Sequence, residues 1–166
     1  MAKLYNITPY HDSNGETYNL KDNEIVVVGG SSKCDIILKD PINQISRQHA
    51  LVLGRKGKFY LFDMSLNGTY CPVDIKFKFD EGSDVRLPNV FDSNFFMERF
   101  NERYEGRTKV ADGRSAVRSY LLELLSNEEN IDGIIEGNYC LNHRDIVGIY
   151  PGFLLQFCDN LFSDRK

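Results

Sequence analysis

Along the first half of the chain, short apolar runs alternate with polar turn signals. KLYNITPY and ETYNL flank the polar turn from Asp12 to Gly15, and EIVVVGG, CDIIL, HALVLG, KFYLFDM and GTYCPVDIKFKF follow. Each run is rich in β-branched or aromatic residues and stops at Gly, Asn, Asp or Pro, as strands do. Strands in this rhythm predict an antiparallel sandwich or barrel. From about Phe91 to Asn130 the period changes. Phe96, Phe100 and Tyr104 recur at helical spacing, with Asp92 or Ser93 as N-cap and Gly106 as stop. Val117, Tyr120, Leu121, Leu124 and Leu125 form a second amphipathic stripe after Ser115. Strand patterns then return in NYCLNHRDIVGIY and FLLQFC, the latter apolar throughout. The prediction is a mainly β protein with two helices inserted before its last strands. Their apolar stripes need burial, on a face or edge of the sandwich or against a second copy of the chain.

The 166 residues suit one domain with a sizeable core, and 42% apolar with 27% charged residues is a globular balance. No apolar run approaches the roughly 20 residues that a membrane-spanning helix needs. The opening MAKLYNITPYHDSNGE lacks the apolar block of a secretory signal, so an intracellular setting, cytoplasmic or nuclear, is expected. A net charge of −4 offers no general attraction for nucleic acid. The basic stretch GRKGK reads as a solvated hairpin turn. Cys34, Cys71, Cys140 and Cys158 lie far apart with no CxxC pair, which argues against zinc and redox motifs. They are expected to be buried, small apolar residues in a reducing compartment. No metal or cofactor is implied.

Three segments carry more specific information: VVVGGSSKCDIIL (26–38), ISRQHALV (45–52) and LFDMSLNGTYC (61–71). In order and spacing they resemble the forkhead-associated (FHA) domain, a β-sandwich that binds phosphothreonine peptides. That family's pattern is Gly-Arg-Ser, a Cys/Asp-Ile segment, Ser-Arg-x-His-Ala and Asp-x-Ser-x-Asn-Gly-Thr. YCLNHRDIVGIYPGFLLQF is similar to the family's closing strands. The resemblance covers about 25–90 and 138–158. It implies one FHA-like domain over 1–160, a helical insertion over about 91–135 and a tail at 161–166.

The resemblance also implies roles. A phosphothreonine brings about −1.5 to −2 charges and three acceptor oxygens, so its site needs convergent donors. Ser46 matches the family's phosphate-binding hydroxyl, and Arg47 beside it reaches the phosphate or the peptide. Asn67 matches the asparagine that bonds the ligand's backbone. Gly29, His49, Gly68 and Thr69 match positions that shape or brace the loops, and Asp63 is expected to help tie loop to strand.

Two positions depart from the pattern. Gly30 stands where the family has its main phosphate-binding arginine, and Leu66 stands where phosphate-binding members often carry a hydroxyl. A hydrogen bond to a charged group contributes about 1.5–3 kcal/mol. Losing an arginine fork therefore weakens phosphate binding roughly tenfold to more than a hundredfold. Lys33, three residues on, offers a point charge without the bidentate geometry, or is simply a solvated loop lysine. Two functions follow from the residues: a phosphothreonine-peptide reader, or a phosphate-independent module that docks a protein partner. A catalytic reading lacks support. HRD at 143–145 has neither the downstream Asn nor the Asp-Phe-Gly of a kinase, and GGSSK lacks the nucleotide-loop frame.

Overall fold

The structure is a computed structural model, and it describes residues 2–74, 86–90, 98, 113–127, 135, 138–150 and 152–159. Among the described residues, ten strands lie in two five-stranded sheets. The first sheet holds β1 (Ala2–Asn6), β2 (Thr17–Leu20), β7 (Thr69–Tyr70), β9 (Ile146–Ile149) and β10 (Phe153–Asp159), in the order β2-β1-β10-β9-β7. The second holds β3 (Ile25–Gly29), β4 (Ile36–Ile37), β5 (Ala50–Arg55), β6 (Lys58–Asp63) and β8 (Tyr139–Cys140), in the order β4-β3-β5-β6-β8. The expected mainly β sandwich is present. One pairing departs from an all-antiparallel arrangement, since β3 and β4 run parallel with Val28 opposite Ile36. GTYCPVDIKFKF, which reads as one long strand, contributes only Thr69–Tyr70, and residues 75–79 of it lie outside the described set.

β1 pairs along its whole length with β10, from Ala2 opposite Asp159 to Asn6 opposite Leu155. The two ends of the strand series therefore close one sheet. Between the sheets sits a core that includes Leu4, Leu20, Val28, Val52, Leu61, Val147, Ile149, Leu155 and Phe157. Each such side chain contributes roughly 1.5–3 kcal/mol on burial.

The runs IVVV and ALVL are apolar without alternation because the second sheet is covered on both faces. Ala50 and Val52 point into the sandwich, whereas their neighbours Leu51 and Leu53 pack on the other side. There they meet the single described helix, α1 (Gly113–Ser126), through Tyr120, Leu121, Leu124 and Leu125, together with Phe62 and Met64. Four of the five residues of the predicted second stripe are thus buried, against the outer face of the β3–β5–β6 layer. The first predicted helix, over Phe96, Phe100 and Tyr104, falls outside the described residues, as does the tail at 161–166.

The smaller expectations resolve as follows. GRKGK forms the tight β5–β6 hairpin, with Arg55 opposite Lys58. HRD is the turn before β9, where the Asp145 carboxylate accepts from the Asn142 N–H at 2.8 Å and the Tyr139 hydroxyl at 2.7 Å. All four cysteines are free thiols; Cys34 and Cys71 are buried, but Cys140 and Cys158 are only half-buried. Those two departures have one cause, because both lie on strand positions that face away from the sandwich core.

Candidate functional site

Three loops meet at one end of the sandwich: 30–35 after β3, 38–49 before β5 and 64–68 between β6 and β7. Their junction starts at Gly29. A β-carbon there would lie 2.3 Å from the Arg47 carbonyl oxygen and 3.0 Å from the His49 nitrogen. Only glycine lets the two backbones run this close. The close approach is fastened by Gly30 N–H to the Ser46 carbonyl and Ser31 N–H to the Arg47 carbonyl, both at 3.1 Å, and by His49 N–H to the Val28 carbonyl at 2.8 Å. The Cys34 thiol also donates to the Arg47 carbonyl at 3.0 Å. Burial pushes the Cys34 thiol pKa up, so the thiol keeps the proton it donates.

The second loop is shaped by Asp40, whose carboxylate accepts the N–H groups of Ile42 at 3.1 Å, Gln44 at 2.6 Å and Ile45 at 3.3 Å. Asp-Pro with an asparagine two residues on is a turn signal that the sequence displays at 40–43. From this loop Ser46 and Gln44 reach the third one. The Leu66 N–H donates to the Ser46 hydroxyl oxygen at 3.1 Å, and the Asn67 amide donates to the Gln44 carbonyl at 2.8 Å.

His49 is fully buried between the same two loops. Its Nδ1 accepts the Ser46 N–H at 3.2 Å, and its Nε2 lies 2.9 Å from the Gly68 carbonyl oxygen. A backbone N–H only donates and a carbonyl only accepts, so the neutral ring with its proton on Nε2 satisfies both. Beneath the third loop lies Asp63, also fully buried. Its Oδ1 accepts from the Ser65 N–H at 3.0 Å, the Ser65 hydroxyl at 2.6 Å and the Thr69 hydroxyl at 2.9 Å. Ser65 in turn accepts the Gly68 N–H at 2.8 Å. Gly68 has φ of 115°, a conformation that L side chains rarely adopt.

The structure therefore brings Ser46, Asn67, His49, Gly68 and Thr69 together with Gly29. Arg47 projects from the junction and is exposed. Lys33 is exposed at the outer end of the first loop, where its N–H donates to the Ser31 hydroxyl at 3.2 Å. Asn67 is already engaged with Gln44, which leaves its carbonyl oxygen and one N–H for a ligand. Beside Gly30 the apex is hollow. A cavity of about 360 Å³ is bordered by Gly30, Leu38, Lys39, Asp40, Asn43 and Ile45.

Several residues of the junction escaped the sequence reading. Ser65 was visible as the serine of the Asp-x-Ser-x-Asn-Gly-Thr pattern, and Asp40 as a turn former. Asn89 carried no signal; it donates to the Ser65 carbonyl at 2.7 Å from a segment distant in sequence. Arg86 is the other such residue, with its guanidinium Nη2 3.5 Å from the Leu66 carbonyl oxygen. Lys33, Lys39, Arg47 and Arg86 give the apex exposed positive charge on a chain of net charge −4. Of the nearby carboxylates, Asp35 and Asp40 accept backbone N–H groups and Asp63 is buried beneath the third loop. Among the described residues no group of three His, Cys, Asp or Glu is placed to hold a metal, and no helix is long and apolar enough to cross a membrane.

These loops match a known domain class. The family model of the FHA domain matches residues 26–87, which span all three loops. FHA domains are protein-interaction modules rather than enzymes. Solved structures agree in fold. The FHA domain of an Arabidopsis thaliana hypothetical protein superposes with TM-score 0.53 at 13% identity, over 95% of this chain and 83% of that one. The FHA domain of a Chlamydia trachomatis protein gives TM-score 0.52 at 15% identity, over 95% of this chain and 96% of that one. The N-terminal FHA domain of Rad53p from S. cerevisiae, solved in complex with a phosphothreonine peptide, gives TM-score 0.51 at 13% identity, over 99% and 98% of the two chains. At these identities the likeness establishes the fold. No curated protein is significantly similar to the chain.

Proposed function

We propose that the apex binds a phosphothreonine-containing segment of a partner protein. In this reading the Ser46 hydroxyl and the Arg47 guanidinium hold the phosphate, Asn67 bonds the ligand's backbone, and Lys33 adds a point charge. One observation carries the proposal. The Ser46 hydroxyl accepts the Leu66 N–H, so its own proton is left to donate to a ligand, between two fastened loops and next in sequence to an exposed arginine. Rigid strands with pinned loops supply donors at little ordering cost, which favours an anion with several acceptor oxygens. The free cysteines support a reducing, intracellular setting for this binding.

A second reading is favoured by Gly30 and Leu66. Without an arginine after Gly29, and with a 65% exposed leucine in the third loop, the same apex suits a partner held without phosphate. The two readings are separated by one comparison. A phosphothreonine peptide library and its unphosphorylated twin are offered to the purified chain. Preference for the phosphorylated set, lost in Ser46→Ala and Arg47→Ala, is the expected result. Equal capture of both sets sinks the phosphate reading and leaves the second.

A further inference from the structure

We infer that Arg86 is a further ligand-binding residue, supplying the bound phosphate with the guanidinium fork that Gly30 cannot. The inference rests on the phosphothreonine reading above and adds to it a contact from outside the three matched loops.

The argument begins with the Leu66 peptide. Its N–H is held by the Ser46 hydroxyl at 3.1 Å, and its carbonyl oxygen lies 3.5 Å from Arg86 Nη2. Ser46, the candidate phosphate hydroxyl, and Arg86 are thus joined through one residue. Arg86 is itself exposed, and its backbone is anchored by a bridge to Tyr70, the last residue of the first sheet's edge strand β7. The side chain therefore leaves a fixed base.

Space for the guanidinium is set by Gly68. A β-carbon at Gly68 would lie 3.0 Å from Arg86 Nε and 3.0 Å from the Tyr70 ring, so the arginine lies over the Asn67–Gly68 turn, where glycine leaves room. Its engagement there is weak. A guanidinium has five N–H donors, and among the described residues the one side-chain hydrogen bond of Arg86 is the long one to Leu66. No described carboxylate pairs with it. An arginine with most of its donors unspent among the described residues, joined to the Ser46 hydroxyl through the Leu66 peptide, is suited to bidentate capture of a phosphate. Lys33 lacks that geometry and sits on the opposite loop.

The test uses the full chain and the best-binding phosphothreonine peptide from the library, with its unphosphorylated twin, measured by fluorescence anisotropy. Arg86→Gln removes the charge and keeps an amide for the Leu66 carbonyl. The expected result is a phosphopeptide affinity about tenfold lower or worse, with binding of the twin unchanged. Arg86→Lys restores part of the loss, and Gly30→Arg added to Arg86→Gln restores most of it. Unchanged phosphopeptide affinity in Arg86→Gln overturns the inference. Equal loss for both peptides also overturns it, because Arg86 then only positions the Leu66 turn. If the wild-type chain ignores the phosphate, the underlying reading fails first and takes this inference with it.

Discussion

The Nε2 of His49 donates to the carbonyl oxygen of Gly68 across 2.9 Å, and this one bond joins the second apical loop to the third from inside the protein. Both groups are buried, so neither has water as a substitute partner.

His49→Ala leaves the Ser46 N–H and the Gly68 carbonyl without their ring partner. A buried polar group left unsatisfied costs about 1–3 kcal/mol. Urea unfolding is expected to show a loss of at least ~2 kcal/mol. A smaller loss means that the loops do not depend on the ring. His49→Gln, which retains one donor and one acceptor, is expected to lose less.

Adjacent glycines give opposite outcomes. Gly29→Ala forces a β-carbon to 2.3 Å from the Arg47 carbonyl oxygen, so backbone must move. The expected cost is about 1–3 kcal/mol. At Gly30 the nearest atom is 3.6 Å away, ordinary contact, and Gly30→Ala is expected to change stability by no more than about 0.5 kcal/mol. Thermal melts of the two variants decide it, and equal effects contradict the close-approach account.

Leu121, on α1, is fully buried against the outer face of the second sheet. Leu121→Ala is expected to destabilise the whole domain by about 2–5 kcal/mol in one cooperative transition. If a helix-only transition splits off while the sandwich melts unchanged, the helix is an appendage rather than part of the core.

Stability is expected to fall in alkali. Burial, followed by the charge of Asp145, pushes the Cys71 thiol pKa up from its usual 9.0. Burial and the bond to the Asp145 carboxylate push the Tyr139 hydroxyl up from 10.0. Groups whose folded pKa is raised lose protons more readily when unfolded, so their contribution is complete below about pH 9 and declines as pH rises above it. Urea midpoints from pH 8 to 10.5 should decrease, and Tyr139→Phe should flatten the decrease. A flat profile in the wild-type chain refutes the assignment. Thiol labelling at pH 8 should likewise leave Cys71 unmodified until the chain unfolds.

The family's three loops were legible because their chemistry is local. Gly29, the Ser46–His49 segment and Asp63 to Thr69 each carry a short pattern whose residues act within a few positions of one another. Arg86 and Asn89 were not legible. They reach the apex only because residues 86–90 lie beside β7 and the Leu66 turn, and nothing near them in sequence announces that.

The alternation of apolar and polar residues by itself determined strands, a sandwich and an amphipathic stripe that demanded burial. It also placed unbroken apolar runs at IVVV and ALVL, which is the signature of a strand covered twice. Tertiary structure decided what covers the second face. β5 sends Ala50 and Val52 inward and Leu51 and Leu53 outward, and α1 lies on the outward pair. A pattern of period two fixes that both faces are apolar, but the partner for each face depends on which distant segment packs there. The same limit separates Gly30 from its consequence. The missing arginine is visible in the sequence, whereas the cavity beside it and the Arg86 guanidinium across the Leu66 turn exist only once the loops have met.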